Sequence, residues 1–301
     1  MTEQTSSRPT VAVTRPTVAV TRPTVAVTRP GGALAFLYGC AAGRLVLKLL
    51  TRRFVSRLAG GFMNSRLSVR MIDSFVRKNN IDLSEYEAAD YRCYNQFFTR
   101  RIQPECRPID TDPTHLISPC DCKLSAYPID EGRRFWIKQS AYTVEELLGG
   151  DPLAAQFAGG VCVICRLTVD DYHRYCYIDD GEKEDNHFLP GVLHTVQPIA
   201  LERVNIYKRN CREYTLMHTA HFGDVVQVEV GALMVGKICN HHGRAQVRRG
   251  AEKGMFQFGG STIVLLLRPG AVDIDNELLR NTQNGLETVV RMGERIGEQA
   301  L

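Results

Sequence analysis

Acidic residues are almost missing from the first 80 positions. Only Glu3 and Asp73 fall there, against 13 Lys or Arg, a local charge of +11 in a chain whose formal total is +4. So basic a segment excludes a cationic partner and calls for an anionic one, either a bilayer surface or a nucleic acid. Aromatic residues interleaved with the basic ones are missing too, as are RNA-binding signatures, so an anionic membrane surface is the expected partner and nucleic acid is not. A further lack is an unbroken apolar run: Arg44 and Lys48 interrupt the stretch that starts at Gly32, leaving it too short and too charged to cross a bilayer. No pair of CxxC motifs occurs, so Cys120-Asp121-Cys122 stands without partners at metal-site spacing and no metal is expected. Ten cysteines with no secretory signal point to free thiols in a reducing compartment, hence to peripheral attachment on the cytoplasmic side of a membrane.

What is present divides the chain in three. Residues 8–28 are three tandem copies of RPTVAVT. A proline at every seventh position rules out a helical heptad, and three such short copies cannot build a solenoid, so residues 1–32 are expected to be a disordered tail. Residues 33–82 read as basic amphipathic helices: Arg44, Lys48 and Arg52 recur four apart, with Val46, Leu47, Leu49 and Leu50 largely opposite. "MNSRLSVRMIDSFVRKNN" repeats the pattern with Arg66, Arg70, Arg77 and Lys78 around Leu67, Ile72, Phe75 and Val76. Helices of this type lie in a membrane interface. From residue 83 to 301 the patterns are strand-like, with "GVCVICRL" (160–167) and "TIVLLL" (262–267) as buried strands and 225–238 alternating at its start. "YTVEELLGG" (142–150) is a short helix stopped by glycine. The expected fold class is α+β, with N-terminal amphipathic helices followed by a mainly antiparallel β core.

"FQFGGSTIVLLL" places Gly259-Gly260-Ser261 at the mouth of the most buried strand. A bulge or turn is one reading. The other is chemical: the Ser261 Oγ can attack the carbonyl of the residue before it, because glycines permit unusual φ and put no Cβ in the way. A held, strained peptide makes that attack effectively unimolecular. The ester so formed can lose its carboxylate by β-elimination, and the dehydroalanine that remains is converted to a pyruvoyl group. "ISPCDCKL" sets Asp121 after a Ser-Pro turn, and "LTVDDYHRYCY" sets His173 after a buried strand. An Asp, a His and a Ser on separate elements are the components of an activated serine.

With these segments in hand, the chain resembles the phosphatidylserine decarboxylase family of pyruvoyl-dependent, self-cleaving proenzymes. "FGGST" resembles that family's self-cleavage site, "SPCDCK" its Ser-Pro-Ala-Asp-Gly segment and "DYHRYCY" its Asp-Tyr-His-Arg segment. "YNQFFTRRIQPECRPID", "GVLHTVQPIA" and "VGALMVGKI" look like further family segments, and the resemblance runs over roughly residues 33–297. It implies that 83–301 is the decarboxylase domain, cut between Gly260 and Ser261 into fragments 1–260 and 261–301 that stay partners. Ser261 would become the covalent pyruvoyl cofactor, Asp121 would orient the histidine, and His173 would be the first of the family's two histidines. The implied reaction takes phosphatidylserine to phosphatidylethanolamine through a Schiff base. The second family histidine, the base on the serine, is here Cys176, which Arg174 would help to ionise if it points the same way. Gln197 stands where asparagine usually precedes the proline. Homo-oligomerisation is left open.

The remaining histidines read as structural. His241 and His242 lie in a polar loop, His218 and His221 have no companion motif, and His194 is an auxiliary candidate after Val192-Leu193. Competing readings are the same chemistry on a soluble amino acid, an uncleaved membrane scaffold, and a carrier module suggested by "ETVVRMGERIG", which has no convincing lysine at its tip.

Overall fold

Val161–Leu167 (β6) and Ser261–Leu267 (β15) are apolar at nearly every position because both faces of their sheet are covered. The computed structural model describes residues 22–26, 32–51, 53–137, 140–195, 206–232, 237–257 and 261–300. Its main sheet has ten strands. In spatial order these are β1 (Thr24–Ala26), β17 (Leu286–Val290), β3 (Cys122–Pro128), β6, β15, β11 (Gly223–Val230), β10 (Arg212–Thr219), β8 (Gly181–Lys183) and β13 (Ala245–Val247). The tenth, β9 (His187–Leu189), pairs with β10. Every ladder in the sheet is antiparallel. The fold is α+β, as expected.

Alternation along the central strands separates two cores. Cys162, Ile164, Val264, Leu266, Val226 and Val228 face a layer holding Phe135, Tyr142 and Phe157. Val163, Cys165, Ile263 and Leu265 face the opposite side, toward Tyr175 and Phe256. Tyr175 and Phe256 belong to a small sheet ordered β12 (Lys237–Asn240), β14 (Glu252–Gln257) and β7 (Arg174–Cys176). Two further sheets are β16 (Val272–Ile274), β18 (Arg295–Gln299) and β2 (His115–Ile117), and the hairpin β4 (Arg134–Ile137) with β5 (Ser140–Thr143).

The N-terminal helices are α1 (Gly32–Gly39), α2 (Ala41–Leu50), α3 (Arg53–Met63) and α4 (Ile72–Asn79). α3 and α4 rest on α5 (Tyr94–Phe98) through a cluster of Met63, Ile72, Tyr94, Phe97 and Phe98, whereas Tyr38 of α1 and Leu47 of α2 join the core that holds Phe135 and Tyr142. Ser68, between α3 and α4, is fully buried and its Oγ accepts the Tyr94 N–H at 2.8 Å. The outward side differs from the expected separation of faces. Leu47 is buried, while Leu45, Val46, Phe54, Leu58, Phe62 and Leu67 are exposed among Arg44, Lys48, Arg66 and Arg70. Among the described residues, no helix is long and apolar enough to cross a membrane.

Three sequence expectations change. The expected disorder of residues 1–32 fails for Arg22–Ala26: Thr24–Ala26 pairs with the edge strand β17, and Arg22 bonds Asp275 and the Arg295 carbonyl. An open sheet edge offers backbone partners to any chain that can lie extended along it, and this repeat copy can. The other two copies lie outside the described residues. The run 225–238 is not one strand, since β11 ends at Val230 and β12 begins at Lys237 in another sheet. The carrier-like "ETVVRMGERIG" is not a hairpin: β17 pairs with β1 and β3, whereas β18 pairs with β16 and β2. The short helix does form, at Val144–Leu147, capped by the Thr143 hydroxyl and followed by Gly149 and Gly150 at φ 71° and 89°.

Candidate active site

Ser261 is the first residue of β15, opposite Leu167 on β6, and is fully buried. Its side chain lies on the same sheet face as Ile263, toward the small sheet. Among the described residues its Oγ has no hydrogen-bond partner, nor has that of Thr262. Gly260, like Phe258, Gly259 and Gln197, lies outside the described residues. The chain therefore passes from the end of β14, at Gln257, into the large sheet at Ser261 within three residues.

His173 lies beside the end of β14. The Phe256 N–H donates to the His173 carbonyl at 2.9 Å, five residues ahead of Ser261. The ring is 1 % exposed and packs edge-on against Phe98, with centroids 4.1 Å apart. Its Nδ1 lies 2.9 Å from the Asp171 backbone oxygen. A carbonyl only accepts, so Nδ1 carries the proton in this contact. The loop supplying this carbonyl is itself pinned: the Asp171 carboxylate receives Lys123 Nζ at 2.6 Å and the Thr168 N–H at 2.6 Å. Burial pushes the Asp171 carboxyl upward and Lys123 opposes that.

Asp121 has a different partner from the one expected. Arg107 Nε donates to its two oxygens at 2.9 and 3.0 Å, and Nη2 to one of them at 2.7 Å. The Met292 N–H adds a bond at 2.8 Å. Arg107 also reaches Glu85 at 3.0 Å. The contact that orients His173 at Nδ1 comes from a backbone carbonyl; the Asp121 carboxylate neutralises a buried guanidinium. Arg107 was visible in "ECRPID" but nothing in the string marks it as buried.

Cys176 is a correction. The thiol is 1 % exposed, and burial pushes it up to about 12. The Arg174 guanidinium is committed elsewhere, donating to the Thr99 carbonyl at 2.9 Å and to Glu252 at 2.7 Å. Cys176 and Arg107 border an open pocket of about 320 Å³, lined also by Arg101, Tyr172, Glu252 and Met292 but not by His173 or Ser261.

His194 lies at the Ser261 end of the sheet. Asn210 Nδ2 bonds both the His194 and Gly231 carbonyls at 2.8 Å, and Gly231 follows Val230, which pairs with Thr262. The His194 Nδ1 is 3.1 Å from the Tyr38 hydroxyl, and desolvation lowers the ring to about 4. His241 and His242 fall in the loop after β12, bonded to Glu252 and Tyr177.

Comparison with known proteins gives this geometry its family. Residues 94–298 match the family model for phosphatidylserine decarboxylase. The chain is 46 % identical over 268 residues to phosphatidylserine decarboxylase proenzyme 2 of Clostridium acetobutylicum, covering 89 % of this chain and 92 % of that one. Proenzymes of the same description from Ruminiclostridium cellulolyticum and Clostridium botulinum are 39 % and 38 % identical, each over at least 88 % of this chain and 91 % of their own. With a model match over two thirds of its length and relatives this similar end to end, the chain belongs to the phosphatidylserine decarboxylase family of carboxy-lyases.

Proposed function

We propose that this chain converts phosphatidylserine to phosphatidylethanolamine after cutting itself between Gly260 and Ser261, the serine becoming a pyruvoyl group at the head of fragment 261–301. The observation that carries the reading is the Ser261 hydroxyl, fully buried and without a partner among the described residues. An idle buried hydroxyl costs about 1–3 kcal/mol and is tolerated where it has chemistry to perform.

Attack of Oγ on the carbonyl of residue 260 turns the amide into an ester, and the serine nitrogen takes up the proton. Loss of the Ser261 Cα proton expels the ester carboxylate, which becomes the new end at Gly260. The dehydroalanine tautomerises, and water hydrolyses it with loss of ammonia. Nε2 of His173 is the base for these transfers, fixed by the Asp171 carbonyl and screened from water by Phe98. Asp121 is a positioning residue that keeps the turn before β3 in place through Arg107. The pyruvoyl ketone supplies an electron sink for the pair released as carbon dioxide leaves. His173 then holds the proton that the product α-carbon needs.

Cutting before Ser261 leaves β15 laddered to β6 and β11, with all seven of its residues buried. Each fully buried aliphatic side chain contributes roughly 1.5–3 kcal/mol, so the fragments stay together. The exposed apolar side chains of α2 and α3 favour a lipid substrate over a soluble amino acid, with peripheral docking to an anionic bilayer.

Intact-mass measurement of the purified protein tests the reading. Two chains, the shorter starting with a pyruvoyl cap, are expected for the parent. Ser261→Ala is expected to stay whole and to leave phosphatidylserine vesicles unchanged. Cleavage of the alanine variant at the same bond would overturn the mechanism. Unimpaired processing in His173→Ala would move the base elsewhere.

A further inference from the structure

We propose that Cys120, Cys122 and Cys165 form a three-sulfur site for a soft monovalent ion, cuprous copper. Their Sγ atoms all lie within 4.8 Å of one another, and the three residues are 0 %, 1 % and 0 % exposed. With metal–sulfur bonds of about 2.3 Å, three sulfurs around one ion sit about 4 Å apart, so the cluster has to contract by less than about an ångström. Cys120 and Cys122 flank Asp121 in the turn that opens β3, and Cys165 comes from β6, where it pairs with Leu124. All three belong to one apolar cluster.

The donor set selects the ion. Zinc in a closed site takes four ligands in a tetrahedron. Ser118 lies close, its Oγ 3.8 Å from Cys122 Sγ, but that hydroxyl already donates to the Cys120 carbonyl at 2.8 Å. Three soft sulfurs without a fourth ligand suit copper(I), which accepts low coordination. Binding displaces thiol protons to solvent. Two thiolates and one neutral thiol around the ion leave a single net negative charge in the core.

The place matters for the neighbouring corner. Cys165 pairs with Ile263, and two residues along the same face Leu167 pairs with Ser261. An ion here would clamp the Asp121 turn to β6 beside Ser261. Spacing rules miss such a site because the third sulfur arrives from a strand 43 positions away. The proposal does not depend on the reading of function given above.

The test uses the full chain with the half-buried Cys40, Cys106 and Cys239 changed to serine, so that accessible thiols do not compete. Copper(I) is added without oxygen, in competition with a chromogenic copper(I) chelator, and X-ray absorption reads the first shell. One copper per chain in a sulfur-only shell is expected, together with a raised melting temperature. Cys165→Ser and Cys120→Ala should each weaken retention at least tenfold and abolish the thermal shift. Cys162→Ala, on the opposite face of β6, should leave both unchanged. Cys122→Ala serves if either cluster variant fails to fold. No copper held against the chelator, equal retention in Cys165→Ser, or a shell containing nitrogen or oxygen would overturn the proposal.

Discussion

Arg107 closes on Asp121 as a fork, with Nε 2.9 Å from one carboxylate oxygen and Nη2 2.7 Å from the other. Both side chains are under a tenth exposed. Removing one partner of such a pair leaves an uncompensated buried charge, at a cost of about 3–5 kcal/mol. Arg107→Met should lose stability on that scale in urea unfolding. Combining it with Asp121→Leu should lose less than the two single changes together. Additive losses would mean that the fork is not a coupled unit.

Cys176 should not act as a base near neutral pH. Its thiol is pushed up to about 12, so almost none is ionised between pH 7 and 9. Cys176→Ser is expected to mature within about twofold of the parent, and neither should show a pH step in that window. The linkage runs the same way: the thiol ionises more readily in the unfolded chain, so stability falls as pH rises through about 8.5 toward 12. A maturation rate that climbs with pH in the parent and loses the climb in the serine variant would restore the thiolate.

Acid should act on His194. Its folded value is lowered to about 4 by desolvation, below the ordinary 6.5. Between those values the unfolded chain binds a proton that the folded chain refuses, so stability falls as pH drops from about 6.5 to about 4. His194→Gln cannot take that proton. Its melting temperature should decline less over this range than that of the parent, and parallel curves would exclude the effect.

Docking to membranes should depend on exposed apolar side chains as well as charge. Phe54, Leu58 and Phe62 are 67 %, 59 % and 46 % exposed. Phe54→Ser with Leu58→Ser should weaken flotation with anionic liposomes by about tenfold or more, since burying such side chains contributes roughly 1.5–3 kcal/mol each. Added salt should weaken the parent further by screening its basic residues. Equal binding to neutral and anionic vesicles, indifferent to salt, would leave only the apolar contribution.

Local patterning made much of this molecule legible from the string. "TIVLLL" had to be buried on both faces, because its five consecutive apolar residues, Ile263 to Leu267, leave neither face of a strand for water. Thr143 and the glycines at 149 and 150 mark the start and stop of a short helix with only nearest neighbours involved. The Gly-Gly-Ser corner was legible as chemistry for the same reason, since an Oγ and the preceding carbonyl are joined by covalent geometry.

What depends on distant chain segments was not legible. Arg107 and Asp121 are 14 positions apart, and only the approach of two loops makes one the counter-ion of the other. Pairing of β7 with β14 gives Arg174 a partner in Glu252 while the Cys176 thiol is buried, which a search for nearby charges along the sequence reads the opposite way. Cys165 meets Cys120 and Cys122 only because β6 lies beside β3. The strand at Thr24–Ala26 forms because β17 presents an edge that its own sequence does not announce. Covalent geometry and side-chain period are properties of a short segment; desolvation, charge pairing and edge pairing are properties of whichever segments the fold brings together.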